Sequence, residues 1–107
     1  MGKFVISTVA NGFRFNLKAD NGQNILHSET YNSKSACQNG VDSVKKNATD
    51  DSRYEKLDAK DGRPYFNLKA GNGQVIGTSQ LYADAAGRDN GIASVKANAP
   101  NATVTEE

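Results

Sequence analysis

The five residues Phe15-Asn16-Leu17-Lys18-Ala19 recur unchanged as Phe66-Asn67-Leu68-Lys69-Ala70, and this recurrence indicates the architecture of the chain. At that offset of 51, both copies carry the same residue at 18 of the 34 positions from 15 to 48. Unrelated segments of ordinary composition would share about two. The sequence therefore predicts an internal duplication. We expect residues 1–107 to form one domain of two repeats, about 2–51 and 52–107.

The repeated stretch alternates apolar and polar residues, which is typical of a strand with one buried face and one wet face. In repeat one this strand covers residues 13–19 and follows a β-branched run from Phe4 to Val9. Asn11-Gly12 is predicted as the hairpin turn between them, because both residues tolerate positive φ. A second turn at Asn21-Gly22 leads into a third strand, predicted from about Gln23 to Tyr31. Upstream of the repeated stretch the offset falls to 50, so the first turn gained or lost one residue.

A helix follows the three strands in each repeat. Ser33 and Asp84 are predicted as N-caps. Asn47 and Asn98 are predicted at the helix ends, because asparagine tolerates the left-handed conformation. Small and apolar residues recur at helical spacing, namely Ala36, Gly40, Val41 and Val44 in repeat one and Gly87, Gly91, Ile92 and Val95 in repeat two. We interpret the two glycines inside these helices as points of close packing on the sheet.

Each helix is followed by a further predicted strand, Ser52–Leu57 in repeat one and Ala102–Glu106 in repeat two. The order in each repeat is thus strand, strand, strand, helix, strand. The last strand of repeat one doubles as the first strand of repeat two. We therefore expect Ala102–Glu106 to return to repeat one and pair near Phe4–Val9.

The pattern FNLKA-x-NGQ-x-I … S-x-x-Y … NG(V/I)-x-SVK-x-NA, present twice, resembles the YegP-like family of uncharacterised bacterial proteins. The resemblance covers nearly the whole chain. It implies an α+β fold: one antiparallel sheet built from two β-β-β-α-β repeats, with their C-terminal strands exchanged and two helices on one face. It implies no reaction, ligand or cofactor.

Composition limits the possible partners and compartments. The formal net charge is +1, whereas nucleic-acid-binding proteins usually carry a marked basic excess. The single cysteine, Cys37, excludes an internal disulfide and suits a reducing compartment. No apolar stretch approaches the length of a membrane span. We therefore expect a cytoplasmic protein that has no membrane partner.

No catalytic or metal-binding constellation is predicted. His27 is the only histidine and Cys37 the only cysteine, and their counterparts in the other repeat are Thr78 and Arg88. A zinc site needs three or four such ligands. A nucleophilic site needs a nucleophile held beside a base, and nothing in the spacing indicates one. We therefore predict no catalytic residue, metal or cofactor, and interpret the chain as non-enzymatic.

The candidate contact surface is the polar face of the repeated strands, formed by Arg14, Asn16, Lys18, Tyr65, Asn67 and Lys69. The asparagine and lysine are identical in both copies, although nearby pairs such as Asn24 and Val75 have diverged. Surface positions have little structural reason to match, because substitutions there usually change stability by less than about 0.5 kcal/mol. The match predicts a surface for an anionic or amide-bearing partner.

The most specific interpretation is a small non-enzymatic binding or interaction domain whose partner is unknown. One alternative is a nucleic-acid-binding module that uses the lysines of the sheet face, although Tyr65 is its one candidate for base stacking. A second alternative is a small-molecule-binding protein or an enzyme without a recognisable motif. We expect a monomer, since the second repeat supplies the partner that a single repeat would need.

Overall fold

Seven strands and two helices follow one another along residues 2–107, which this computed structural model describes; Met1 lies outside them. A turn of 3-10 helix at Asp51–Arg53 leads into the fourth strand, where the sequence predicted a strand from Ser52. It forms because the Asp50 carboxylate accepts the Ser52 amide at 3.0 Å. The elements are β1 (Lys3–Val9), β2 (Gly12–Lys18), β3 (Asn24–His27), α1 (Lys34–Asn47), β4 (Tyr54–Asp58), β5 (Pro64–Lys69), β6 (Val75–Thr78), α2 (Ala85–Asn98) and β7 (Thr103–Glu106).

All seven strands form one sheet in the order β4-β5-β6-β3-β2-β1-β7. Neighbours are antiparallel except β7, which runs parallel to β1 with Val104 opposite Phe4. The sheet is therefore mixed, and the expectation of an entirely antiparallel sheet is wrong. The cause is the place where α2 ends. Asn98 lies so close to Gly2 that a Cβ on this glycine would come within 2.9 Å of the Asn98 Cβ. The chain consequently enters β7 at the end of the sheet where β1 begins.

Three hairpin turns share one geometry, and they include the predicted turn at Asn21-Gly22. The glycines Gly22, Gly62 and Gly73 have φ of 85°, 85° and 86°. The side chain of the Asn or Asp that precedes each glycine accepts a hydrogen bond from the backbone amide of the residue that follows the glycine, at 3.0 to 3.1 Å. A short polar side chain followed by a residue free to adopt positive φ is the combination that such turns require.

The turn between β1 and β2 is different. Val9 pairs with Gly12, so the loop is Ala10-Asn11 and not Asn11-Gly12 as predicted. Asn11 does not take positive φ, since no residue other than glycine does so among residues 2–107. Gly12 serves another purpose: a Cβ there would come within 2.0 Å of the Tyr31 carbonyl oxygen.

The third strand of each repeat is shorter than predicted, because a serine ends it. β3 stops at His27, and the Ser28 hydroxyl accepts the Phe15 amide at 2.9 Å. Ser79 does the same for Phe66 at 3.0 Å. Tyr31 returns to the sheet as an isolated bridge to Phe13. The hydroxyl thus takes over a hydrogen bond that a continuing strand would have made.

The predicted caps begin both helices. The Ser33 hydroxyl accepts the Ala36 amide at 3.1 Å, and the Asp84 carboxylate accepts the Gly87 amide at 2.8 Å. Neither helix is long and apolar enough to cross a membrane.

The two asparagines at the helix ends keep right-handed backbone, so the reason given for them from sequence was wrong. Asn47 instead donates to the Ser43 carbonyl oxygen at 2.8 Å, and Asn98 donates to the Ser94 carbonyl oxygen at 2.8 Å. The asparagine side chain therefore adds a second hydrogen bond across the last helical turn.

The helix glycines make room for tyrosine rings. A Cβ on Gly40 would lie 2.5 Å from the Tyr31 hydroxyl oxygen, and one on Gly91 would lie 2.2 Å from that of Tyr82. Both rings stack on a core phenylalanine. The close packing predicted at these glycines is present, and the partner is a tyrosine from the loop after the third strand.

The hydrophobic core lies between the helices and one face of the sheet. Its cluster joins strand residues Phe4, Ile6, Phe15, Leu17, Leu26, Phe66 and Leu68 to helix residues Cys37, Val41, Val44, Ile92 and Val95. Side chains at alternate strand positions point the other way. We call this opposite side of the sheet the solvent face.

Candidate binding surface

The solvent face carries the polar residues singled out by the repeat. Asn16 lies opposite His27, His27 opposite Thr78, and Thr78 opposite Asn67. The row continues outward to Glu55 beyond Asn67 and to Val5 beyond Asn16. The structure therefore brings Asn16 and Asn67 onto one surface, to either side of the centre of the sheet.

The solvent face has a first half on β1, β2 and β3 and a second half on β4, β5 and β6. In the second half, the polar residues bind one another. Thr78 donates to the Asn67 Oδ1 at 2.8 Å, and Asn67 Nδ2 donates to Glu55 at 3.3 Å. Lys69 Nζ donates to the other oxygen of Glu55 at 3.0 Å. The hydrogen bonds from Lys69 and Asn67 hold the pKa of Glu55 below its ordinary value. This half is a closed network.

In the first half, the same two residue types lack such a partner. Val5, which is 2% exposed, stands opposite Asn16 where Glu55 stands opposite Asn67. Within residues 2–107, the side chains of Asn16 and Lys18 make no hydrogen bond or ion pair. Their donors face solvent, so this half is open.

Positive charge accumulates in the open half. Lys3 lies directly opposite Lys18 on the neighbouring strand. Like charges in that arrangement are destabilising. The counterpart of Lys3 in the second half is Arg53, which instead donates to Asn47 at 3.1 Å and lies 3.5 Å from an Asp50 oxygen. The cations of the second half are thus neutralised inside the chain.

A shallow depression of about 400 Å³ marks the open half. It is lined by Arg14, Asn16, Asn24, Leu26, His27 and Gln80. Arg14 and His27 are exposed at its rim. Arginine, lysine and amide donors are the groups that proteins use to bind carboxylates and phosphates. Arg14 and Asn16 place donors of this kind at the depression.

Tyr65, the aromatic candidate, lies apart from this depression. It is half-buried on β5, opposite Leu57 of β4. It belongs to the half in which Asn67 and Lys69 are bound to Glu55. The structure therefore does not bring it together with Arg14, Asn16 and Lys18.

His27 and Cys37 lie on opposite sides of the sheet. His27 is exposed on the solvent face, and Cys37 is fully buried in the core, where burial raises the pKa of its thiol. Among residues 2–107, no group of three or more His, Cys, Asp or Glu side chains is placed to hold a metal ion.

Sequence reasoning missed three residues of this surface: Lys3, His27 and Glu55. The first and third belong to β1 and β4, which align at an offset of 50 and share little sequence. Their role depends on the strand register, which places Lys3 opposite Lys18 and Glu55 opposite Asn67 and which the turn predicted at Asn11-Gly12 did not give.

One family model, described as Domain of unknown function (DUF1508), matches the chain twice, at residues 9–55 and 59–106. The chain belongs to this family. A UPF0339 protein in the ptx operon 5' region of Stutzerimonas stutzeri is 62% identical over 97 residues, or 91% of this chain and 87% of that one. UPF0339 protein YegP of Escherichia coli K12 is 54% identical over 96 residues, or 90% and 87% of the two chains.

Two solution NMR structures share the fold. One is a UPF0339 protein from Shewanella oneidensis, with a TM-score of 0.93 and 49% identity, which aligns over 98% of this chain and 90% of that one. The other is yegP from E. coli, with a TM-score of 0.93 and 51% identity over 99% and 92% of the two chains. The YegP-like resemblance is confirmed. The family description and these names assign no activity, so the biochemical function of the family is unknown.

Proposed function

We propose that this protein is a small non-enzymatic binding domain, and that it holds an anionic group of its partner on the open half of the solvent face. The observation that carries this proposal is the contrast between Lys18 and Lys69. Lys69 is paired with Glu55, whereas Lys18 faces solvent beside a second cation, Lys3.

An anionic ligand gains most from cations and donors that have no partner within the chain. A charged group that already has an internal partner gives up that bond when a ligand arrives. Lys18 has none to give up, and the Lys3–Lys18 repulsion is relieved when an anion lies between them. Asn16 adds amide donors, and Arg14 adds a fork of N–H groups suited to a carboxylate or phosphate. The ligand therefore gains most at Arg14, Asn16 and Lys18.

Nucleic acid is the second candidate, and it is favoured by three cations on the open half, namely the facing pair Lys3 and Lys18 and, four residues along β2, Arg14. A protein that neutralises about three phosphates loses affinity steeply as salt rises. Single-stranded binding usually adds aromatic stacking. Tyr65 lies in the other half, so the support for nucleic acid is these three cations alone.

The proposal is tested with the matched pair Lys18→Gln and Lys69→Gln. Native lysate is passed over immobilised wild type and each variant, and the captured molecules are identified. Fluorescence anisotropy then measures binding of a short polyglutamate peptide and of a single-stranded oligonucleotide across a salt series. Lys18→Gln should lose capture and probe binding while its melting temperature stays the same or rises, because the repulsion from Lys3 is removed. Lys69→Gln should keep both capture and probe binding. Equal losses in the two variants, or losses in neither, would refute the proposal.

We also propose that the domain is a duplicated unit whose repeats exchange their C-terminal strands. The pairing of β7 with β1 and of β4 with β5 supports this arrangement. A monomer follows, because the chain supplies its own strand beside β1, and light scattering at micromolar concentration checks it. We assign the protein to the cytoplasm, in keeping with its single free and buried cysteine.

A further inference from the structure

The two ends of the sheet treat equivalent strands differently. β4 corresponds to β1, because Tyr54 pairs with Leu68 as Phe4 pairs with Leu17. β1 has β7 along its outer side, whereas β4 is the last strand of the sheet in the described part of the chain. The same kind of edge is therefore covered in the first half and open in the second.

β7 shows how such an edge binds a strand. The carbonyl oxygens of Gly2 and Ile6 accept the amides of Thr103 and Glu107, at 3.3 and 2.9 Å. Backbone groups at every second residue of β1 thus point outward. Lys56 occupies the position of Ile6 in the second half, because it pairs with Phe66 as Ile6 pairs with Phe15. The outward backbone groups of β4 are therefore those of Tyr54 and Lys56.

A depression between strand and helix, which we call the side-chain seat, lies beside each backbone edge. In the first half, Val104 lies opposite Phe4, is 45% exposed, and lines a depression together with Val41 and Gln38 of α1. The counterparts of these two helix residues are Ile92 and Asp89 of α2. Both line a depression of about 430 Å³ between β4 and α2, together with Asp51, Tyr54, Lys56 and Lys96.

The walls of the two seats match in detail. Lys96 lies over the Tyr54 ring at 5.8 Å, as Lys45 lies over the Phe4 ring at 6.0 Å. The depression beneath β4 thus follows the same plan as the depression that Val104 lines beside β1.

Charge indicates which strand fits the open edge. Glu106 of β7 lies opposite Ile6 and pairs with Lys34 at the start of α1. In the second half the counterpart of Lys34 is Ala85, while the counterpart of Ile6 is Lys56. The cation therefore lies on the helix in the first half and on the strand in the second half. The ion pair of Lys56 with Asp89, at 3.3 Å, is about half exposed on both sides and gives way readily.

We propose that the edge of β4 binds an extended segment of a partner protein as a parallel strand. The segment places a β-branched apolar residue over Ile92 and an acidic residue, two positions later, beside Lys56. Main-chain hydrogen bonds to Tyr54 and Lys56 provide affinity, and the seat and the lysine provide specificity, as in other cases of strand addition. This site is separate from the open half of the solvent face and does not depend on it.

The test uses the full-length chain and a peptide with the sequence of residues 100–107, Pro-Asn-Ala-Thr-Val-Thr-Glu-Glu, as the probe. Amide chemical shifts are followed by NMR while the peptide is added up to several millimolar. We expect saturable shifts in residues 54–58 and 89–96, with a dissociation constant on the order of 1 mM. Replacing the valine of the peptide with lysine should weaken binding about tenfold or more.

Two chain variants test the mode of binding. Lys56→Pro removes an outward amide that an edge strand can spare, so the fold should persist and the peptide shifts should vanish. Lys56→Glu should repel the peptide, and a peptide in which Glu106 is replaced with lysine should restore binding to this variant. This charge exchange decides the matter even if the proline variant fails to fold.

Three outcomes would overturn the proposal. The first is the absence of shifts in β4 at the highest peptide concentration. The second is a set of shifts confined to β1 and α1, which would mean that the peptide replaces β7 in its own seat. The third is peptide binding that neither Lys56 variant alters. Any of these would leave Lys56 as a charge that keeps an edge strand from aggregating.

Discussion

The two halves of the solvent face carry the same asparagine and lysine, yet the structure gives them different neighbours. Glu55 binds Asn67 and Lys69 in one half, whereas Val5 faces Asn16 in the other. Residues that are identical in the two repeats therefore need not make the same interactions. The strand beside them, which has diverged, decides whether their donors are used inside the chain or remain available to a partner.

Removing β7 should have the largest effect, because it makes β1 an open edge like β4. A chain that ends after Ala99 loses the parallel pairing of β7 and the buried Ala102, and uncovers Val5. We expect the free energy of unfolding to fall by about 2–4 kcal/mol, measured by urea denaturation. A loss below about 0.5 kcal/mol would mean that the covered and open edges do not differ in stability.

Replacing either of the serines that end the third strands should lower the stability by the same amount, because the two serines make equivalent hydrogen bonds. Ser28→Ala and Ser79→Ala each leave a buried amide, of Phe15 and Phe66, without its hydroxyl acceptor. We expect each variant to lose about 1–3 kcal/mol of stability, and the two losses to agree. Clearly unequal losses in chemical denaturation would show that the asymmetry extends from the surface into the core.

The smallest effect should come from Glu55→Gln, and it should depend on pH. The pKa of Glu55 is lowered in the folded state, so its stabilising contribution is present above the ordinary value of 4.5 and is lost as the pH falls below it. The variant should therefore melt slightly below the wild type at neutral pH and together with it in strong acid. A difference in melting temperature that stays constant with pH would contradict the Glu55 network.

Much of this fold could be predicted from the repeat. The turn at Asn21-Gly22 and the caps Ser33 and Asp84 are local features, and local sequence determines them. The glycine spacing also predicted close packing at Gly40, although its tyrosine partner comes from another element. The parallel direction of β7 could not be predicted, because it depends on where α2 ends relative to Gly2. Such a placement is a tertiary result with no pattern of its own in the sequence.

The candidate surface was half predictable. The repeat identified Asn16 and Lys18 with their copies, since alternation assigns a strand residue to one face. It treated the two pairs as equivalent, because their cross-strand neighbours depend on register. Only the pairing of β4 with β5 shows that Glu55 reaches both Asn67 and Lys69.

The first half of the solvent face is open, whereas hydrogen bonds to Glu55 close the second half. This difference can be measured by an NMR titration with inorganic phosphate that follows the backbone and side-chain amides of both halves in one sample. We predict saturable shifts at Arg14, Asn16 and Lys18, and none beyond the effect of salt at Asn67 and Lys69. Equal shifts in the two halves, or shifts confined to the second, would contradict the claim.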